Sequence, residues 1–411
     1  TKEKDLNILS GWLEKYASCG AKETFNKYVL HALRVYVMGM FKFPAALSEE
    51  LSQIIRNFWW GDEEDKSKTH RLAWDQLTSP KAEGEMGFRD LKLFNQALLA
   101  KQAWRLVVNP DSLCAKAVKA KYYPQGLILD IVFPLSASLP WQALMHGLEL
   151  LKLGVIWVVR DGSNINIWRD NWLPRHSGLK ITARKSRTRM KWVSDLILTG
   201  PKGWDENLVR HLFYPHDAEE TLRLRIPSSR EGDFVAWHFE KTGMFSVKSA
   251  YKHALTLKEQ KEDEGQYRDA TLGERKIWDI IWKANVPQKI HIFAWRVATN
   301  SLTVQVNRMA HHQAVLSTCS ICGVEDENMF HALIICPKAH ALRMAMRDIW
   351  ELPTEDAFRY TESEWFLVLL SPVGQSVRDK IIFIFWRAWH LRNDLIFWQG
   401  HRVSHKFDQF C

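Results

Sequence analysis

From Thr318 to Pro337 the chain reads TCSICGVEDENMFHALIICP, and no other stretch restricts the fold so tightly. Three of the six cysteines fall here with one histidine, spaced Cys319-x2-Cys322-x8-His331-x4-Cys336. Two thiolates three positions apart on a tight turn can face one ion, and Gly323 relieves that turn. A set of three cysteines and one histidine suits the tetrahedral preference of zinc for sulfur and nitrogen. On one continuous helix His331 and Cys336 would point about 140° apart. Pro337 resolves this, because proline favours the first position of a helix. A new helix starting there lets the chain bend at Cys336 so that both residues reach the ion.

Two rival readings exist. One is three buried thiols beside a core histidine. The other is a disulfide framework, which needs an oxidising compartment that nothing in the sequence suggests. Four donors at usable spacing favour zinc over both. With every position filled by protein the site is structural and closed, and one bound ion supplies on the order of 10 kcal/mol toward local folding. Cys19, Cys114 and Cys411 are isolated and read as small buried or unpaired thiols.

Around this loop the 411 residues are 46% hydrophobic with 20 tryptophans, enough for two or three cores anchored by large rings. The net charge of +9 suits a polyanion such as nucleic acid, with plain solubility as the competing explanation. The chain opens on Thr1 with no secretory pattern, as a piece of a longer product would. The apolar run Ile381 to Trp386 is too short for a bilayer. The expectation is an intracellular protein, nuclear or cytoplasmic, with no membrane contact.

Apolar spacing predicts the elements. KYVLHALRVYVMGMFKFP is helical through Val29, Leu30, Leu33, Val37, Met38 and Phe41, and breaks at Pro44. ALSEELSQIIRNFWW follows as a helix with Ser48 as its N-cap and Gly61 as its stop. GDEEDKSKTH is a solvated loop. FRDLKLFNQALLAKQAWRLVVNP is a helix with Leu91, Phe94, Leu98, Ala103 and Leu106 on one side. Two β-rich runs flank Asp161-Gly162 and predict a hairpin. A second hairpin is expected in DFVAWHFEKTGMFSVKSAY, turning at Thr242-Gly243. Lys258 to Asp269 reads as a polar linker. Helical spacing returns from Glu274 through Asn300, over Pro337 to Trp350, and over Ser376 to Phe397. The fold class is therefore α+β, mainly helical, with short β-hairpins and a small Cys3His zinc-binding module.

Basic residues near the cysteine loop are Lys283, Lys289, Arg296, Arg308, Lys338, Arg343 and Arg347, with Trp282 and Trp295 interleaved. Lysine and arginine can neutralise phosphates, and aromatic rings can stack on unpaired bases. Both tryptophans fit apolar helical stripes and read as core. Glu325, Asp326 and Glu327 read as a solvated acidic face that repels phosphate, and His311-His312 as a polar surface patch. Arg160-Asp161-Gly162-Ser163 reads as turn chemistry. Within these residues there is no phosphate-binding GxxxxGK[ST] loop, GxSxG elbow or HExxH motif.

Several stretches in one order resemble a known family. GWLEKYASCGAKETFNKYVLHALRVYVMGMFKFP, IIRNFWWG, GFRDLKLFNQALLAKQAWRL, INIWRDNWLP, AWHFEKTGMFSVKSAY and IWKANVPQKIHIFAWRVATNSLTV, ending in HALIICP, are similar to reverse transcriptases of plant LINE-type (non-LTR) retrotransposons. They match the region that follows the polymerase palm. The resemblance covers nearly the whole chain and implies one structural Zn2+ held by Cys319, Cys322, His331 and Cys336. It also implies a helix carrying Lys289, His291, Trp295 and Arg296 beside them. In that family the zinc region is expected to hold template or target RNA or single-stranded DNA near the polymerase. Eight residues separate Cys322 from His331, unlike the shorter spacing of viral zinc knuckles. The palm's paired aspartates, needed for two magnesium ions, have no Asp-Asp counterpart in these 411 residues, so no polymerase activity is expected. The resulting division is 1–60, a helical thumb-like region; 61–175, a mixed helix and hairpin connector; 176–260, a connector ending in a hairpin; 261–352, the zinc-binding domain; and 353–411, a helical C-terminal segment. The function expected is non-catalytic nucleic-acid binding. The alternative is a domesticated or decayed retroelement remnant that serves as a protein-interaction scaffold, its protein partners unknown.

Overall fold

The computed structural model describes residues 17–398, apart from 31, 33–34, 62–69, 80, 82–85, 132–137, 176–177, 183–187, 199–202, 228–231, 264–271 and 363. The elements used below are, in chain order, α1 (Cys19–Phe25), α2 (Ala45–Trp60), α3 (Leu91–Val108), α4 (Leu139–Gly154), β1 (Val155–Val158), β2 (Phe234–Trp237), α5 (Val247–Asp263), α6 (Leu272–Trp282), α7 (Gln288–Ala298), α8 (Gln305–Ala310), α9 (Pro337–Arg347), α10 (Trp365–Leu370) and α11 (Gln375–Trp398). The class is mainly helical with a two-stranded sheet. Among the described residues no helix is long and apolar enough to cross a membrane.

Local rules set several helix ends where spacing places them, and tertiary packing moves others. The helix expected over 27–44 is broken: a wide turn occupies Asn26–Leu30 and a single helical turn Val35–Met38. Residues 31, 33 and 34 lie outside the described residues. Helix α2 starts at Ala45, directly after Pro44, whose fixed φ begins the helix a turn early. Ser48 is therefore not its N-cap; it is buried within the first turn. Gly61, with φ of 73°, does stop α2. Helix α5 runs to Asp263, six residues into the expected linker, and 264–269 lie outside the described residues.

Two compact units form. One draws on Arg34–Ala45 and Leu91–Gln266. Its centre is α3 against α4, with α3 burying the predicted Leu91, Phe94, Leu98, Ala103 and Leu106. Gly147 on α4 sits directly on the α3 backbone, so close that a Cβ there would overlap the Leu99 carbonyl and the Ala100 amide. The two expected hairpins are replaced by one pairing between their first halves. β1 pairs antiparallel with β2 in the register Val155↔Trp237 to Val158↔Phe234. The physical reason is Asp233, just before β2. Its carboxylate accepts the backbone N–H groups of Arg160, Asp161, Gly162 and Asn164 at 2.8–3.2 Å and so draws β2 alongside β1. After Gly162 (φ of 70°) the chain turns away, and Ile165 and Ile167 bond instead with Val193 and Lys191. The Thr242-Gly243 turn does form, with Trp237 N–H donating to the Gly243 carbonyl at 2.7 Å. Beyond it Ser246 accepts the Ser249 N–H and starts α5, so the expected return strand is helix.

The other unit draws on Thr1–Leu33, Ala46–Asp90 and Tyr267–Cys411. Helix α7 is apolar on two faces and buried on both. Ile290, Ala294 and Val297 join Ile281, Leu333, Leu370, Ile381 and Phe385 in one core. Ile292 and Trp295 join Trp59, Leu77 and Phe88 in another. Trp295 is fully buried, edge-on to Trp59 at 6.5 Å, and Trp282 is half-buried beneath the Lys81 ammonium at 4.0 Å. The core reading of both tryptophans agrees with this placement.

Gly147→Leu is expected to lower stability by about 2–3 kcal/mol, because the overlap is with backbone that cannot rotate aside. The shift in denaturant midpoint between wild type and variant measures it.

Candidate metal centre

The cysteine loop is a short two-sided turn built by its own backbone. Cys319 N–H donates to the Glu325 carbonyl at 2.8 Å, Glu327 N–H to the Ser317 carbonyl at 2.8 Å, and Gly323 N–H to the Cys319 carbonyl at 2.9 Å. Gly323 has φ of 67°, which L side chains rarely adopt, so glycine lets Cys319 and Cys322 face the same side. Farther on, His331–Ile335 forms a wide π-type turn, with Cys336 N–H donating to the His331 carbonyl at 2.8 Å. Cys336 is extended (φ −48°, ψ 131°), and Pro337 opens α9. The expected bend before Pro337 is thus present.

This geometry gathers the donors. The Sγ atoms of Cys319 and Cys322 and a ring nitrogen of His331 lie within 4.8 Å of one another. Cys322 Sγ is 3.4 Å from His331 Nε2. The other ring nitrogen, Nδ1, faces Glu325 Oε2 at 3.0 Å. A carboxylate there fixes the imidazole orientation and leaves Nε2 for a ligand. Cys336 is buried and packs with Cys319, Ala339 and Ala388, outside that three-donor group. Burial pushes the Cys319 thiol up to about 12, while the Val324 and Glu325 backbone N–H groups pull Cys322 down to about 7. With burial and Glu327 both opposing its ionisation, Cys319 becomes a thiolate only beside a cation. The soft sulfur and imidazole donors fit a transition metal such as zinc.

The acidic run beside the donors is a solvated face at Glu325 and Asp326 but not at Glu327. Glu327 is fully buried. Its carboxylate accepts Arg392 Nε at 2.9 Å and pairs through its second oxygen with Arg392 Nη2. It also accepts the Gln305 N–H at 3.0 Å, and the Cys319 thiol lies 3.8 Å away. Arg392 itself lies 4.7 Å over the Trp389 ring. Only Glu325 and Asp326 are exposed. The sequence did hold a trace of this pair. Ile381, Phe385, Ala388 and Arg392 share one helical stripe, and a charge in register with buried apolar residues calls for a buried partner.

The basic candidates separate by environment. Lys283, Lys289 and Lys338 are exposed; Lys283 pairs with Asp279 at 3.1 Å, and the Lys289 ammonium lies 4.6 Å over Trp386. Arg296 and Arg308 are half-buried on α7 and α8. Arg343 is 3% exposed and faces inward: it donates to the Ile334 carbonyl at 3.1 Å and pairs with Glu355 at 2.8 Å. Arg347 joins the same carboxylate at 2.6 Å. The Arg343 hydrogen bond, with help from Arg347, holds Glu355 down at about 2. This clamp occupies Arg343 inside the fold, where the sequence suggested a phosphate contact. His311 and His312 are exposed, as expected of a surface patch.

Comparison with known proteins adds three findings. A family profile described as zinc-binding in reverse transcriptase matches residues 245–342. A protein of Arabidopsis thaliana, provisionally named as a ribonuclease H protein, is 30% identical over 348 residues, 82% of this chain and 53% of that protein. An uncharacterized mitochondrial protein of the same plant is 36% identical over 143 residues, 34% of this chain and 93% of its own length. The chain spans about half the length of the first relative.

Arg392→Ala leaves a buried carboxylate without its counter-charge beside the thiols. We expect a loss of about 3–5 kcal/mol. Arg392→Ala combined with Glu327→Ala should cost less than the two single changes summed, as read from chemical denaturation of all four proteins.

Proposed function

Because the chain belongs to the family of retroelement-derived proteins that carry the zinc-binding region of reverse transcriptases, we propose that it is a non-catalytic, zinc-stabilised module that binds RNA or single-stranded DNA. The matched zinc-binding region of reverse transcriptases and the two plant relatives support a retroelement origin, and the order of its motifs points to the LINE type. The observation that carries the reading is the convergence of Cys319, Cys322 and His331 inside the segment matched by that family.

One structural Zn2+ would be held by Cys319, Cys322 and His331 through Nε2, and Cys336, buried beside Cys319 but outside that three-donor group, would have to move in to serve as the fourth donor. Bound zinc supplies only Lewis-acid charge that gathers thiolates and imidazole, and a closed four-donor set leaves no position for substrate. The chain's own residues do the rest. Glu325 orients His331, Gly323 shapes the turn, and Glu327 ties the loop to Arg392 and α8. Lys283, Lys289, Lys338, Arg296 and Arg308 supply phosphate contacts around this rigid piece. Their exposure, full or partial, and the net charge of +9 support that role. Ribonuclease activity is named for the longer relative, and no such activity is assigned to this chain.

A second reading, a protein-interaction scaffold, is favoured by one observation. Val315, Leu316 and Val324 on and beside the metal loop are 92%, 69% and 80% exposed. Apolar side chains this open can dock a protein partner. Recovery of stoichiometric protein partners after nuclease treatment, with no binding to oligonucleotides, decides for the scaffold.

Purified chain is expected to carry about one zinc per molecule by elemental analysis. Cys319→Ser and Cys336→Ser should each lose the metal and melt the loop as a chelator does; unchanged metal content in either variant removes that residue from the ligand set. Single-stranded RNA or DNA should bind with an affinity that falls linearly on a log–log plot against salt, at about 0.7 per phosphate contact. Absence of binding even at low salt ends the nucleic-acid reading.

A further inference from the structure

Three arginines flank the loop that joins α7 to α8 in the unit that contains the metal loop, and none has a carboxylate partner among the described residues. Arg296 lies on α7, Arg308 on α8, and Arg71 comes from far upstream. Arg71 Nη1 donates to the Ser301 carbonyl at 3.1 Å, across 230 positions of sequence. Ser301 lies in the loop that joins α7 to α8, and its N–H donates to the Arg296 carbonyl at 2.9 Å. Arg308 is held by the Gln305 side chain at 3.3 Å and the Gln313 carbonyl at 3.5 Å. The Nε of Arg296 is buried with no hydrogen-bond partner. All three residues are half-buried. Burial, and then the charges of Arg296 and Arg308, lower Arg71 to about 10, so it keeps its proton at neutral pH.

Like charges on a surface ordinarily splay into water, where their repulsion is weak. Here Arg71 and Arg308 are held by two carbonyls and an amide side chain, all of them neutral groups. That arrangement concentrates positive charge and leaves planar N–H forks for an incoming anion. The fork geometry of guanidinium matches phosphate oxygens in pairs, and three such groups can surround one phosphate. Thr299 Oγ1 donates to the Trp295 carbonyl at 3.0 Å and lies 2.9 Å from Ser301 Oγ, so both hydroxyls are spent on fixing this loop. We propose that Arg71, Arg296 and Arg308 form a binding site for a phosphate group. Where that phosphate belongs to an RNA or DNA backbone, the site rests on the nucleic-acid reading above; where it is a free phosphate, the site stands without it.

The test uses the full, metal-loaded chain with Arg71→Gln and Arg308→Gln, and two probes. In the first arm, inorganic phosphate at matched ionic strength should raise the melting temperature of wild type and raise that of the variants less. In the second, binding of a single-stranded RNA oligonucleotide is titrated against salt, and each variant should reduce the slope by about 0.7. A response in the first arm alone identifies free phosphate as the ligand, and this remains so even if RNA does not bind, which would defeat only the nucleic-acid reading. A response in the second arm alone identifies the backbone. RNA binding with an unchanged slope and no phosphate protection overturns the site while leaving the nucleic-acid reading in place. No response to either probe overturns the site as well. If Arg71→Gln unfolds through loss of its Ser301 contact, Arg308→Gln carries the test. Without phosphate at low salt, Arg308→Gln should melt no lower than wild type, since it removes a repulsive charge; a clear drop would mark the arginine as merely structural and overturn the proposal.

Discussion

The structure around the metal loop depends on one buried carboxylate. Glu327 has no access to water, so its charge must be met inside the protein. Arg392 meets it from α11, the Gln305 N–H from the start of α8, and the Cys319 thiol lies alongside. Each of these groups is placed by a different segment. A single charge thereby fixes the metal loop, the helix after the α7–α8 turn, and the last described helix against one another. Removing water from such a pair is costly, and its worth lies in permitting one arrangement and penalising the others.

That arrangement explains why the loop can be short and poor in apolar residues. Its rear is covered by Ala339 from α9 and Ala388 from α11, both small enough to let the backbones approach Cys319 and Cys336. Its front exposes Val315, Leu316 and Val324. The family match stops at residue 342, yet Arg392 and Ala388 lie beyond it. The physical module is therefore longer than the matched segment. Helix α7 plays the matching role in the interior: buried on two faces, it is a rigid bar from which Arg296 projects and from whose end the Ser301 loop begins. Charges mounted on so well packed an element keep their spacing, as the proposed phosphate site requires.

Long elements were legible where a strong pattern had no competitor. The apolar stripe of α3, the start of α9 at Pro337 and the stop of α2 at Gly61 all follow from local chemistry. The β segments were legible as extended but not in their pairing. Their turns exist at Gly162 and Gly243, yet Asp233 joins the first halves of two expected hairpins into one sheet. A local turn rule cannot anticipate an acid more than sixty positions away that binds the turn's amides. Arg343 went the same way: its basic character was visible, but Glu355 and the Ile334 carbonyl turned it inward.

The sequence by itself determined that Cys319, Cys322 and His331 converge, because cysteines, histidine and glycine act through spacing and backbone conformation over a few residues. It also determined the helical class and the aromatic core, through periodicity. The tertiary structure alone decided which charges are interior and which remain available. Glu327 and Arg343 were drawn into the fold, while Arg71, Arg296 and Arg308 stay half-buried around the loop joining α7 to α8, with no carboxylate partner among the described residues. The environment of a charge is set by residues that are close in space and far apart along the chain, and local spacing carries no record of them.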